Sequence, residues 1–353
     1  MNNTNWFEIS KTPGLTEDFI REHKDLVSWT CISKYQKLSE DFIREHKDLV
    51  DWILISIHQK LSEDFIREHK NLVSWYCVSV YQKLSEDFIR EHKNLVDWIP
   101  ISIHQKLSED FIREHKNLVS WYRVSIHQKL SEDFIREHKN LVSWYCVSKY
   151  QKLSEDFIRE HKDLVDWIPI SIHQKLSEDF IREHKDLIDW YCVSKYQKLS
   201  EDFIREHKNL VSWYNISIHQ KLSEDFIREF NLSIPSNNWL YTSSEDKLSS
   251  VRQTNLYEID GEYIIAYKGV RSDNYSNYNF QYKYEVGETY SCHADFNLSN
   301  ENSFGLSAWT LEKAREYCNQ KILKVKIHAS DLAAVVHEGG KLRCEKFTII
   351  SKV

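Results

Sequence analysis

Three sets of side chains in this sequence have the types that chemistry uses. Nine histidines, from His23 and His46 through His69, His92, His115, His138, His161 and His184 to His207, recur 23 residues apart. They form a ladder of the residue that binds metals and titrates near neutral pH. Cys292 stands beside His293, and Cys344 beside Glu345, which puts a thiol next to a base or a carboxylate. Each set also has a plainer reading. A histidine near a helix C-terminus is favoured there by the helix dipole, and a whole repeat between neighbours keeps them from sharing one ion at ligand distances of ~2 Å. Adjacent strand residues face opposite ways, so Cys292 and His293 make a poor dyad. The sequence holds no Walker loop, GxGxxG, GxSxG or HExxH, the patterns that cradle phosphate, raise a nucleophile or hold zinc. The expectation is no catalytic residue, no metal and no cofactor.

The histidines belong to a repeat. Tryptophan recurs at Trp6, Trp29, Trp52 and onward to Trp213, always 23 residues apart, with DFIRE in the same phase from Asp18 to Asp225. One unit, residues 60 to 82, reads KLSEDFIREHKNLVSWYCVSVYQ. It contains two helix starts. Ser62 caps the first, with Glu63 and Asp64 at its positive end and Arg67, His69 and Lys70 toward its negative end. Ser74, replaced by Asp51, Asp97 or Asp166 in other copies, caps the second. Leu61 with Ile66, and Val73 with Val78, have the spacing of hydrophobic staples. Caps fall 12 and then 11 residues apart, which predicts paired helices of roughly eight residues each. Pro100 and Pro169 lie three residues after Asp97 and Asp166, in a first turn where a missing N–H does no harm. Glycine is absent between Gly14 and Gly261, which suits helices better than tight β-turns.

Helices this short do not survive alone, because nucleation costs more than two turns return. Stacked pairs would bury Leu61, Phe65, Ile66, Leu72, Val73, Trp75, Val78 and Tyr81 in a continuous core. About ten units at helix spacings of roughly 8–10 Å predict a superhelical solenoid on the order of 90 Å long. Its ends are atypical: Thr12, Pro13 and Gly14 replace Tyr-Gln-Lys in the first copy, and Phe230 replaces histidine in the last.

One column varies between copies. The position two after tryptophan holds Cys31, Leu54, Cys77, Pro100, Arg123, Cys146, Pro169, Cys192 and Asn215. Tolerance of such different side chains predicts a partly exposed position able to encode specificity. A second column, Tyr35, His58, Tyr81, His104, His127, Tyr150, His173, Tyr196 and His219, partly alternates and points to duplication in two-unit blocks.

Composition narrows the partners. The net charge of -7 is spread along the chain with basic and acidic residues alternating, so no concentrated positive surface offers itself to nucleic acid. Seven cysteines without a CxxC pair fit reduced thiols. No stretch approaches the ~18 apolar residues of a membrane helix, and the start MNNTNWFEISK lacks the apolar core of a secretory signal. A cytosolic or nuclear setting follows, with neither nucleic acid nor membrane as partner.

The repeat stops near residue 232. Residues 233–250 read as a polar linker and 251–353 as a small α+β domain, after the α-helical array of 1–232. Residues 256–270 read as a hairpin turning at Asp260-Gly261, and FQYKYEV (280–286) as another strand. Thr310 would cap a helix LEKAREYC, followed by a strand at 322–327, a turn or short helix near SDLAAVV, and one closing strand in KLRCEKFTIISKV. The whole is mainly α: a solenoid of 23-residue two-helix repeats with a small α+β domain behind it.

The LSEDFIREH units resemble repeat proteins of giant DNA viruses of the mimivirus type, and the C-terminal segment resembles an uncharacterised domain attached to viral and bacterial repeat proteins. The order YKGV, VGETYSC, a serine-rich segment and helix, then a final strand is also similar to mono-ADP-ribosyltransferases. Those enzymes hold NAD with an arginine, a Ser-Thr-Ser strand and a Glu-x-Glu pair. This sequence has Lys268 or Arg271 at the first station, Ser307-Ala308-Trp309 at the second, and Lys341-Leu342-Arg343 with Glu345 near the third. Without the glutamate pair, charge stabilisation at the reacting sugar is missing. The resemblance therefore implies a catalytically silent binding domain, with Lys268, Arg271, Ser307 and Glu345 as candidate ligand contacts; a degenerate or active transferase is the alternative. The resulting expectation is an adaptor in the host cell cytoplasm or virion, not secreted, whose array recruits a host or viral protein. A self-assembling structural protein is the third reading. A uniform surface repeated about ten times suits a long or repetitive partner.

Overall fold

The computed structural model describes residues 5–233, 238–276, 282–318 and 320–353. They form the expected helical repeat array followed by an antiparallel-sheet domain. The chain divides into two compact units, Met1–Val142 and Ser143–Val353. The first consists of repeats alone, and the second of the remaining repeats together with the sheet domain.

In the first unit the repeats carry a six-residue helix such as Glu63–Glu68 and a seven-residue helix such as Trp75–Tyr81, the first tryptophan helix, Trp6–Lys11, having six; all are shorter than the eight residues expected. The caps are as anticipated: Ser62 Oγ accepts from Phe65 N at 3.1 Å, and Ser74 Oγ from Cys77 N at 3.4 Å. The shortening comes from the C-terminal ends. His69 leaves helical geometry, and its carbonyl accepts from both Leu72 N and Val73 N, closing a tight turn. Trp75 Nε1 then donates to Lys70 O at 2.8 Å and pins that turn. Gln82 ends the second helix in extended backbone.

Phe65, Ile66 and Val78 are wholly buried, with Leu61 and Val73 nearly so. Burying side chains of this size contributes roughly 1.5–3 kcal/mol each. Two members of the expected core are not in it: Leu72 is 44 % exposed and Tyr81 57 %. Leu72 sits in the turn rather than on a helix face, and Tyr81 at the last helical position looks outward.

Between repeats the contacts are as much polar as apolar. Gln82 Nε2 donates to Ser56 O and Gln59 O, both at 2.8 Å, while its Oε1 accepts from Leu61 N at 3.0 Å. Ser56 Oγ donates to Trp52 O at 2.7 Å and accepts from Ser74 N at 3.1 Å. Glu40 receives both the backbone N–H and the hydroxyl of Ser62, at 2.6 and 3.0 Å. Arg44 lies 4.9 Å over the Phe65 ring, donates to Glu68 at 2.7 Å and holds Asp41 at 2.8 Å. Chain ends that such short helices leave open are thus closed by the neighbouring repeat.

In the second unit the array ends on a purpose-built plug. Elsewhere a leucine N–H donates to the glutamine that closes its own 23-residue unit, as Leu199 N does to Gln220 Oε1 at 3.1 Å. The last copy has no such glutamine, and the Leu222 N–H donates to the Tyr241 hydroxyl at 3.1 Å. Asn238 Nδ2 donates to Ile218 O. The linker expected at 233–250 is therefore corrected: Trp239–Tyr241 is a 3-10 turn and Ser244–Thr254 a helix that buries Leu248 and Val251 in the sheet domain's core. Its polar composition had a use, since the polar groups cap the array.

Among the described residues eight strands follow: β1 (Glu258–Asp260), β2 (Tyr263–Val270), β3 (Thr289–Ser291), β4 (Leu306–Trp309), β5 (Lys321–His328), β6 (Leu332–Val336), β7 (Lys341–Cys344) and β8 (Lys346–Lys352). They form one antiparallel sheet in the order β3-β8-β5-β2-β4-β7-β6, with β1 paired to β2 through the expected turn. Gly261 takes that turn at φ +59. Thr310 caps the helix Leu311–Tyr317, which lies so close to β2 that a Cβ on Gly269 would meet Ala314 O at 2.5 Å. The single closing strand is in fact two, β7 and β8, which pair with different neighbours. The strand is interrupted at Glu345, whose N–H donates to Asp331 O and whose carbonyl accepts from Cys292 N. Segment SDLAAVV contains a 3-10 turn and then strand β6. Of the strand expected at 280–286, residues 280 and 281 lie outside the described residues; the remainder makes a bridge between Lys283 and Tyr275. The Tyr290 hydroxyl donates to Lys283 O and accepts from Glu285 N, taking bonds that a neighbouring strand would have supplied.

Candidate functional site

The histidine ladder is packing. His69 Nδ1 lies 3.1 Å from Phe65 O; a carbonyl only accepts, so that nitrogen carries the proton. Its ring stacks on Phe65 at 4.3 Å and on Trp52 of the preceding repeat at 5.1 Å. The same Trp-Phe-His stack recurs along the array, and Phe230 replaces the histidine in the last copy, 4.6 Å from Trp213. Among the described residues, no group of three or more His, Cys, Asp or Glu side chains is placed to hold a metal ion.

The variable column lies inside rather than on the surface, which corrects the expectation for it. Cys31, Cys77, Pro100, Cys146, Pro169, Cys192 and Asn215 are buried, and Leu54 and Arg123 half-buried. Helical spacing turns the second residue after tryptophan toward the neighbouring repeat: Asn215 Nδ2 donates to Tyr191 O at 3.1 Å. Burial, reinforced by Asp189, pushes the Cys192 thiol up to about 12. Arg123 is tolerated because its guanidinium escapes over the Tyr122 ring at 5.4 Å.

The exposed variation sits one residue earlier, at Thr30, Ile53, Tyr76, Ile99, Tyr122, Tyr145, Ile168, Tyr191 and Tyr214, where every tyrosine and isoleucine is exposed. Each repeat also exposes the leucine of its first turn, as at Leu49, Leu72, Leu95 and Leu118. In the first unit a groove of about 370 Å³ opens between repeats, lined by Lys93, Glu114, His115, Asn117 and Leu118. The signal for this surface was present as the tyrosine or isoleucine that follows tryptophan in eight of these nine copies, beside the more conspicuous cysteine column.

In the sheet domain the candidate residues separate. Lys268 points into the core, where its ammonium donates to Ser307 O at 2.9 Å and lies 4.9 Å from the Tyr284 ring. Burial pushes it down to about 8. Arg271 pairs with Asp273 at 3.0 Å. Glu345 lies 3.7 Å from His293; burial favours its protonated form, but His293 and Lys198 hold it below its usual value. Cys344 is fully buried, and burial pushes the Cys292 thiol up to about 12, so neither cysteine is poised as a nucleophile.

Ser307 leads to a different place. Its cross-strand partner is Arg343, and that of Trp309 is Lys341. These four share one face of the β4–β7 ladder because alternate strand residues do, while Leu306, Ala308, Leu342 and Cys344 fill the core behind. Arg343 is fully buried and donates to the carbonyls of Asp295, Asn297 and Asn300, fixing the loop above the sheet. Burial would raise the Asp295 carboxyl, but His219 at 3.4 Å, Asn297 N and Asn300 hold it well below the usual carboxylate range. Beside this loop a cleft of about 400 Å³ is lined by Asn302, Ser303, Ser307, Trp309, Tyr317 and Lys341. Of the four candidate ligand contacts, Ser307 alone lines it. Trp309, Tyr317 and Lys341 were not among the expected contacts, since only register across β4 and β7 brings them together.

No family model matches the chain, and no curated protein or solved structure is detectably similar to it. The geometry of the array and of the sheet domain carries the functional reading.

Proposed function

We propose that this protein is an adaptor, in which the repeat array holds a protein partner and the sheet domain binds a separate ligand. The observation that carries the reading is the exposure, repeat after repeat, of one leucine and one tyrosine or isoleucine, 44 % exposed at Leu72 and 60 % at Tyr76, on a scaffold whose repeats are joined by hydrogen bonds such as those of Gln82 and Ser56. Evenly spaced apolar side chains of this kind favour a partner that engages several repeats at once, where weak contacts add through avidity. Tyrosine is well suited to such a surface, with a large apolar ring and a polar tip. In this reading the partner is a host or viral protein, and the setting the host cell cytoplasm or the virion, in keeping with repeats that resemble those of giant DNA viruses.

The test compares the full chain with a variant carrying Leu72→Ser, Leu95→Ser, Leu118→Ser, Tyr76→Ser and Tyr122→Ser. Both are immobilised, exposed to host lysate and cross-linked. The adaptor reading predicts a defined protein captured by the parent and at least tenfold depleted from the variant. Equal capture by both, or none by either, rejects it.

A further inference from the structure

We infer that the cleft at the β4–β7 ladder binds a small molecule that carries a carboxylate or phosphate on a flat ring. This rests on the part of the adaptor reading that gives the sheet domain a ligand, and not on what the array holds. The charge comes from Lys341, only 6 % exposed. Its ammonium has three N–H donors and two acceptors, Glu301 O and Asn302 Oδ1, both at 3.2 Å and both uncharged. Among the described residues no carboxylate comes within ion-pair distance of it: burial and the neighbouring cation Arg343 disfavour its charge, and Glu301, paired with His337, favours it only from longer range. A buried ammonium with no carboxylate in contact is costly. An anion entering the cleft would supply that contact and a third acceptor.

The ring preference comes from the walls. Trp309 and Tyr317 stand 5.4 Å apart at 30°, and the Lys341 ammonium lies 5.0 Å over the Trp309 ring. A flat ligand laid against these aromatics brings an attached anionic group toward Lys341. Asn302, Ser303 and Ser307 supply polar groups at the cleft's lining. His337 Nε2 lies 3.0 Å from Asn302 Oδ1 and steadies that side chain. The volume of about 400 Å³ falls in the range of about 300–1,000 Å³ usual for small-molecule sites. A cationic ligand would meet the Lys341 ammonium in the cleft's lining, so the site selects against it.

Ligand-detected NMR titration of the full-length protein tests the inference with five probes: benzoate, nicotinate and adenosine monophosphate, which pair a ring with an anion; benzamide, which keeps the ring without charge; and inorganic phosphate, which keeps the charge without a ring. The expected result is saturable binding of at least one ring-bearing anion, tenfold or more tighter than benzamide and than phosphate. Preference for benzoate and nicotinate indicates a carboxylate ligand, and preference for adenosine monophosphate a phosphate ligand. Lys341→Met should abolish the binding and Tyr317→Ala weaken it several-fold, while Lys326→Met on β5, which β2 separates from β4, leaves it unchanged. Should Lys341→Met fail to fold, Tyr317→Ala and Lys341→Arg carry the comparison. Absence of saturable binding of all three ring-bearing anions at millimolar concentration, equal affinity for benzamide, or indifference to the Lys341 and Tyr317 changes overturns the inference. None of these outcomes bears on capture of a protein by the array, so the two failures are separable.

Discussion

One glutamine per repeat does more to join neighbours than any apolar side chain visible in the sequence. Gln82 closes two carbonyls of the preceding repeat and one N–H of its own. Replacing it with alanine leaves three buried polar groups unpaired, at about 1–3 kcal/mol each. Gln82→Ala is therefore predicted to destabilise the protein by about 3 kcal/mol or more. Leu72→Ser, an apolar-to-polar change in the same repeat, should shift stability by less than about 0.5 kcal/mol because Leu72 is exposed. Urea denaturation followed by circular dichroism checks both. The order expected from hydrophobicity alone is the reverse, so the pair discriminates between a polar and an apolar account of stacking.

Among the elements, the helix Leu311–Tyr317 is held to the sheet at a point where only hydrogen fits. A methyl group at Gly269 would lie 2.5 Å from Ala314 O and 2.7 Å from Cys318 O. Gly269→Ala should therefore cost about 1–3 kcal/mol and loosen the helix that carries Tyr317, read as faster amide exchange at Ala314 and Tyr317 with little change in the array. Helix caps, repeat period and the Asp260-Gly261 hairpin were legible beforehand because each depends on a few neighbouring residues. What lay hidden depends on pairing at a distance. Ser307, Trp309, Lys341 and Arg343 share a face only once β4 and β7 are in register. Residues 233–250 looked like a linker because the work done there, closing the last repeat with Tyr241 and Asn238, is polar. The variable cysteine column was misplaced on the surface because tolerance of different side chains was taken for exposure, whereas one such site accepts Asn215 through a backbone bond and Arg123 by letting its charge escape.

At the scale of a whole unit, the central claim is that within it each repeat is completed by its neighbour: glutamine, serine, glutamate and arginine of one copy bond the backbone or side chains of the adjoining copy. Stability is then a sum of weak repeats and strong interfaces, as in other one-dimensional arrays, and helices of six and seven residues exist only within it. The most direct measurement is the urea midpoint of a series of excised arrays of two, four and six repeats, each ended by residues 238–254 and compared with a single repeat. The account predicts a single repeat without helical signal and a midpoint that rises with every added pair. A single repeat that is helical by itself, or a midpoint independent of repeat number, would contradict it.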